Sequence, residues 1–142
     1  MPELGKKRVL FICTHNSARS QMAEGLLRHL AGDRFDVYSA GTQPSAVNPL
    51  AVKVMAEGGI DISKHRSKSL AEFIGQAFDA VITVCDSAKE SCPVFPGGTQ
   101  RIHWSLPDPS AAEGSEMDRL LIFREVRNAL HQRLRQFLAA LP

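Results

Sequence analysis

Arg8–Cys13 (RVLFIC) is a short, almost continuously apolar run that stops at a cysteine and gives way to Thr-His-Asn-Ser-Ala-Arg-Ser. Apolar residues resume after that break, with Met22, Ala23, Leu26, Leu27 and Leu30 at helical spacing. A short run rich in Val, Ile and Phe reads as a buried strand, and the later spacing predicts a helix over 18–30 with Gly32 as its stop. A strand apolar on both faces has to be covered on both. The opening strand–loop–helix unit therefore directs the chain toward a parallel sheet flanked by helices.

The rest of the chain repeats the alternation. Phe35–Ala40, Phe78–Cys85 and Arg101–Trp104 read as further strands. Pro49–Glu57 reads as a helix opened by proline and closed by Gly58-Gly59, and Ser69–Gln76 as a shorter one. Ser115–Leu138 is the longest helical stretch, with Ser115 and Asp118 as a capping box and Leu120, Phe123, Leu130, Leu134, Phe137 and Leu141 along one stripe. The expected fold is a small doubly wound α/β domain: four parallel strands, helices on both faces, and one core over residues 1–142.

Composition excludes several classes. With 44% hydrophobic and 23% charged residues the chain is not of disordered type, and a net charge of +2 spread along the chain gives nucleic acid no basic patch. Lys6, Lys7 and Arg8 are read as a solvated terminus. The longest apolar stretches, Val9–Cys13 and Phe78–Cys85, fall far short of the roughly 20 residues that span a bilayer. No small-residue cleavage site follows the first apolar run, so a cytoplasmic protein without membrane contact is expected, and a monomer.

The chemistry concentrates at Cys13. If Cys13 ends a strand and Arg19-Ser20 opens a helix, the five residues between must curl with their N–H groups inward, forming an anion nest at a helix N-terminus. Asn16 suits the left-handed backbone of such a curl. A free thiol titrates near 8.5, but at a helix N-terminus beside arginine it falls to roughly 3.5–7.5 and becomes a nucleophilic thiolate. Arg19 offers a planar fork for two oxygens of a tetrahedral dianion, and the Ser20 hydroxyl can donate to the thiolate. Thr14, His15, Asn16, Ser17, Ala18, Arg19 and Ser20 are thus the candidate substrate-binding residues, for phosphate, sulfate or arsenate.

Three cysteines, in a compartment expected to be reducing, favour reactive thiols over a disulfide framework. Cys13 and Cys85 each end a predicted strand, and in open α/β sheets ligands bind beyond those ends, so both should open onto one crevice. Structural zinc uses close pairs such as C-x2-C, whereas six residues separate Cys85 from Cys92, and no metal site is expected.

The Cys13–Ser20 loop, Gln21-Met22-Ala23-Glu24-Gly25, Ser39-Ala40-Gly41-Thr42, Gly59-Ile60-Asp61 and Asp108-Pro109 together resemble the low-molecular-weight protein tyrosine phosphatase superfamily. They are most similar to its thioredoxin-coupled arsenate reductase branch, from about Arg8 to the last helix. The resemblance implies reduction of arsenate to arsenite, serving arsenic detoxification, with no bound cofactor. By that analogy Cys13 attacks arsenate, Cys85 releases arsenite by forming a Cys13–Cys85 disulfide, and Cys92 takes over to leave Cys85–Cys92 for thioredoxin. Asp108 would be the general acid. Were residues 86–91 helical, Cys85 and Cys92 would lie roughly 10 Å apart along the axis. A disulfide needs Cα atoms within about 7 Å, so the segment should unwind or loop out when the bond forms.

Some members of the branch bind potassium through residues matching Asn16, Glu24, Ser39 and an acid at position 68. Here position 68 is Lys, so its ammonium is expected to replace the cation near Glu24. The main alternative is a tyrosine phosphatase using Cys13, Arg19 and Asp108. That group commonly has a cysteine where this chain has Ala18 and tyrosines where it has Ser110-Ala111-Ala112, and it has no use for Cys85 and Cys92. A three-cysteine arsenite or metal sensor would leave Arg19 without a purpose. A mycothiol- or glutathione-coupled reductase is a third alternative.

Overall fold

A computed structural model describes residues 6–86 and 89–141. Strand β1 (Lys7–Cys13) lies at the centre of a four-stranded parallel sheet with β2 (Phe35–Gly41), β3 (Phe78–Thr83) and β4 (Gly98–His103), in the order β2-β1-β3-β4. Its register runs from Lys7 opposite Phe35 to Cys13 opposite Gly41, and on the other side from Val9 opposite Ala80 to Ile12 opposite Thr83.

The apolar run of β1 explains its central place. Val9, Phe11 and Cys13 face one side of the sheet, Leu10 and Ile12 the other, and none is more than 2% exposed. Each such side chain contributes about 1.5–3 kcal/mol on full burial, which holds β1 in register on both faces. The two covers are uneven. Helices α1 (Arg19–Ala31), α2 (Pro49–Glu57) and α3 (Glu116–Ala139) bury their apolar stripes over Val9 and Phe11. The opposite face is closed by a short 3-10 turn, Leu70–Phe73, and by Tyr38, Phe78 and Phe95 in edge-to-face contact, with centroids 5.7–5.9 Å apart. Arg8 stacks its guanidinium 4.4 Å above the Phe78 ring.

Helix ends follow local chemistry. Ser115 and Asp118 form the capping box at the start of α3, and Asn48 caps α2 ahead of Pro49. The helix predicted over 69–76 is only the four-residue 3-10 turn. Ser69 caps it, and Gly75 at φ +88 turns the chain away. The strand expected to reach Cys85 ends at Thr83, although Val84 N still donates to Ile12 O at 2.8 Å. Strand β4 begins at Gly98, three residues earlier than the apolar pattern indicates, because its outer residues Thr99 and Gln100 face solvent at the sheet edge. Among the described residues, no helix is long and apolar enough to cross a membrane.

Candidate active site

The loop from Cys13 to Ser20 leaves the carboxyl end of β1 and enters α1 at Arg19. Asn16 takes φ +48, the left-handed turn the curl requires. The loop carbonyls are claimed from outside. Thr14 O accepts from Gln43 N at 2.8 Å, His15 O from Ser67 Oγ at 2.9 Å, and Ser17 O from Asn48 N at 3.0 Å. While these carbonyls are bonded outward, Asn16 N turns inward and donates to Cys13 Sγ at 3.2 Å. Ala18, at the N-cap of α1, provides no side-chain acceptor for the first-turn N–H groups. Gly41 lets β2 approach this loop. A Cβ there would lie 2.6 Å from Thr14 O and 2.8 Å from Asn16 N.

Side chains behind the loop lock it. Asn16 Nδ2 donates to Ser20 Oγ at 2.7 Å, so the Ser20 hydroxyl has its proton available for Cys13 Sγ, 2.8 Å away. Asn16 Oδ1 accepts from Gln21 Nε2 at 2.9 Å and from Lys68 N at 2.8 Å. Gln21 Oε1 in turn accepts from His65 Nδ1 at 2.9 Å. Burial pushes the His65 imidazole below its ordinary pKa, only partly offset by Glu24, and Arg28 donates to its Nε2 at 3.2 Å. His65 therefore stands in the neutral form as a structural group.

Lys68 is where the expectation placed it. Its Nζ lies 3.6 Å from Glu24 Oε1 and 3.5 Å from Ser39 Oγ, while Ser39 Oγ donates to Glu24 Oε1 at 2.5 Å. Glu24 Oε2 pairs with Arg28 at 2.9 Å. Burial lowers the Lys68 pKa and the Glu24 charge opposes that shift. With two cations already on Glu24, the residues here do not fit an added potassium ion.

Arg19 is 2% exposed, and its Nη1 donates to Leu106 O at 3.2 Å. Burial alone would lower its pKa. The hydrogen bond to Glu90 and the charges of Cys13, Asp108 and Glu90 outweigh that and hold it above the ordinary value. Asp108 Oδ2 lies 3.8 Å from Arg19 Nη2, and its other oxygen caps the turn Pro109–Ala111 by accepting from Ser110 N and Oγ. Asp108, Pro107 and Ala111 line a cleft of about 200 Å³ beside Asp86 and Glu90.

Cys85 lies one residue beyond the position opposite Cys13 in the β1–β3 register, at the same carboxyl end of the sheet. It is bonded to Cys92, with Cα atoms 6.1 Å apart, and Cys13 is the free thiol. Between Cys85 and Cys92, Lys89 N and Glu90 N both donate to Asp86 O. Ser87 and Ala88, part of the segment expected to unwind, lie outside the described residues.

Two participants escaped the sequence reading. Glu90, which the sequence did not single out, sets both carboxylate oxygens on the Arg19 fork: Oε2 at 2.5 Å from Nη1 and Oε1 at 2.7 Å from Nη2. Thr14 Oγ1 donates to the same Oε1 at 2.9 Å and Asp86 N to Oε2 at 2.7 Å. The Arg19 hydrogen bond, with help from Asp86 N and Thr14, holds the Glu90 carboxyl at about 2. The second is His103, given no role from sequence. Its donor atom lies within 4.8 Å of the sulfurs of Cys85 and Cys92, the kind of set that can hold a metal. Here the two sulfurs are bonded to each other, so neither offers a thiolate ligand.

The geometry defines a class: a parallel α/β domain with a curled loop that begins at a cysteine and is closed by arginine and serine. The family described as "Low molecular weight phosphotyrosine protein phosphatase" matches residues 8–142, and the chain belongs to it. Within that family this chain has arsenate reductases among its relatives at 40–47% identity. It is 44% identical over 134 residues to an arsenate reductase of Halalkalibacterium halodurans, covering 94% of this chain and 96% of the relative. The structure described as "An arsenate reductase in the phosphate binding state" superposes with a TM-score of 0.82 at 34% identity, over 96% of this chain and 99% of that one. A thioredoxin-dependent arsenate reductase of Corynebacterium glutamicum gives a TM-score of 0.70 at 31% identity, over 97% of this chain and 65% of that chain.

Proposed function

We propose that this chain is an arsenate reductase that passes electrons through three cysteines. What carries the reading is one coincidence: a free Cys13 in an oxyanion loop lies at the same carboxyl end of the sheet as a Cys85–Cys92 disulfide. A phosphatase needs the first and has no use for the second. In the relay, the Cys13 thiolate attacks As(V), Asp108 protonates the departing oxygen, and water leaves. Cys85 then attacks Cys13 Sγ. The As–S bonding pair stays on arsenic, which departs as arsenite, and a Cys13–Cys85 disulfide remains. Cys92 attacks Cys85 Sγ and expels the Cys13 thiolate, which the Ser20 hydroxyl and the Asn16 N–H receive. The arrangement in this structure matches the end of that sequence. Regenerating two thiols takes two electrons and two protons from an external dithiol, and the Corynebacterium glutamicum neighbour supports thioredoxin in that role.

Arg19 and the loop N–H groups would bind the oxyanion and stabilise charge as the thiolate attacks. The reading includes no bound cofactor, one domain, and a monomer in the cytoplasm. Its test is arsenate-dependent NADPH oxidation with thioredoxin and thioredoxin reductase, on wild type and on Cys13→Ser, Cys85→Ser and Cys92→Ser. All three substitutions are expected to abolish turnover. Turnover that survives Cys85→Ser would overturn the relay.

A further inference from the structure

Glu90 lies inside the loop that the Cys85–Cys92 bond closes, two residues before Cys92, and its carboxylate occupies the groups a substrate oxyanion would use. Both lanes of the Arg19 fork end on it, at 2.5 and 2.7 Å, and Thr14 of the oxyanion loop donates to it at 2.9 Å. A bidentate carboxylate on a buried guanidinium is among the strongest neutralising contacts a side chain can make. The contact also closes the turn that carries it: Glu90 N donates to Asp86 O at 2.8 Å, while Asp86 N donates back to the Glu90 carboxylate at 2.7 Å. The disulfide fixes the ends of that turn, with Cα atoms 6.1 Å apart.

We propose that Glu90 is a built-in competitor for the oxyanion loop, installed when Cys85 and Cys92 join and withdrawn when they are reduced. In the disulfide form Cys13 is again a free thiol beside Arg19, but no Cys85 thiol is left to resolve an adduct. Arsenate binding at that moment would load Cys13 with a group the protein cannot discharge. A carboxylate seated on Arg19 keeps the loop closed to tetrahedral anions until an external dithiol delivers two electrons and two protons to the disulfide. The turn then loses its covalent closure, and the oxyanion competes for a fork whose occupant is no longer tethered. The low pKa of Glu90 agrees with a carboxylate that stays charged on the site across the physiological range. The place of this step in turnover rests on the relay proposed above; the binding equilibrium itself does not.

The experiment uses inorganic phosphate, a tetrahedral anion that is not reduced, titrated calorimetrically into two preparations of the full chain. One is fully reduced. The other is oxidised chemically with diamide, its Cys85–Cys92 bond and single free thiol verified by mass spectrometry. Oxidised wild type is expected to bind phosphate at least about tenfold more weakly than reduced wild type, within the range typical of coupled sites. In Glu90→Gln, and in Glu90→Ala as a second variant, the gap between the two preparations should shrink to about threefold or less. Equal affinity of oxidised and reduced wild type would overturn the proposal without recourse to any variant. So would an undiminished gap in folded Glu90→Gln and Glu90→Ala. Failure of the relay would show separately, as arsenate turnover that does not need Cys85, and would leave this comparison readable.

Discussion

The two cysteine-bearing segments at the top of the sheet are built on opposite principles. The Cys13–Ser20 loop is over-determined. Its carbonyls are bonded to the chain around Gln43, Ser67 and Asn48, Asn16 is bonded at both ends of its amide, and Arg19 is buried. The Cys85–Cys92 segment is polar and partly exposed, and it is attached by a disulfide, a turn at Asp86 and the Glu90 carboxylate. The difference suits the tasks assigned to them. A site that stabilises developing charge gains by being preorganised before the reaction, because no reorganisation is then needed during it. A segment that exchanges disulfide partners must instead adopt more than one geometry, and a stiff scaffold would prevent that.

The comparison can be broken at its rigid end first. Gly41→Ala places a methyl group 2.6 Å from Thr14 O and 2.8 Å from Asn16 N, where backbone must shift. It is expected to cost about 1–3 kcal/mol in urea unfolding, of the size of other overpacking changes. Ser91→Ala, on the exposed part of the other segment, should stay within about 0.5 kcal/mol. Similar losses at both positions would contradict the contrast drawn between the two segments.

A second measurement sharpens the flexible end. Hydrogen exchange on reduced and oxidised protein should show protection of residues 86–92 changing with redox state while residues 13–20 change far less. Equal protection of 86–92 in both forms would sink the idea of a redox-switched segment.

The smallest expected effect concerns pH. The folded Glu90 carboxyl titrates at about 2, against an ordinary value of 4.5, chiefly because of Arg19. A depressed carboxyl contributes stability that is fully present above its unfolded pKa and is lost as pH falls through the folded one. The stability difference between oxidised wild type and Glu90→Gln should therefore be constant above about pH 5 and shrink between 4.5 and 2. A difference that already fades between pH 7 and 6 would remove Glu90 from Arg19 in solution.

Much was legible without coordinates wherever the signal was local. β1 and β2 read from apolar runs, α2 from Pro49 and Gly58, and α3 from Ser115, Asp118 and a continuous stripe. The curl from Cys13 to Ser20 was legible because residue order alone puts a strand end, Asn16 and Arg19 in the required succession. Local reading failed where packing decides. The turn at Leu70–Phe73 looked like a longer helix, and the exposed half of β4 had no apolar pattern to betray it. Glu90 on Arg19 joins residues 71 apart, and neither composition nor spacing encodes such a pairing. His103 beside the disulfide also depends on which strand ends and loops the sheet brings together, whereas Lys68 against Glu24 was already expected from the family resemblance. The chain by itself thus determined the cradle of Cys13, the proposed nucleophile, since a strand, a curl and a helix start need only neighbours in sequence. Only the tertiary structure decided what fills that cradle, because Glu90 reaches Arg19 through the β2-β1-β3-β4 order and the turn that Cys85 and Cys92 close.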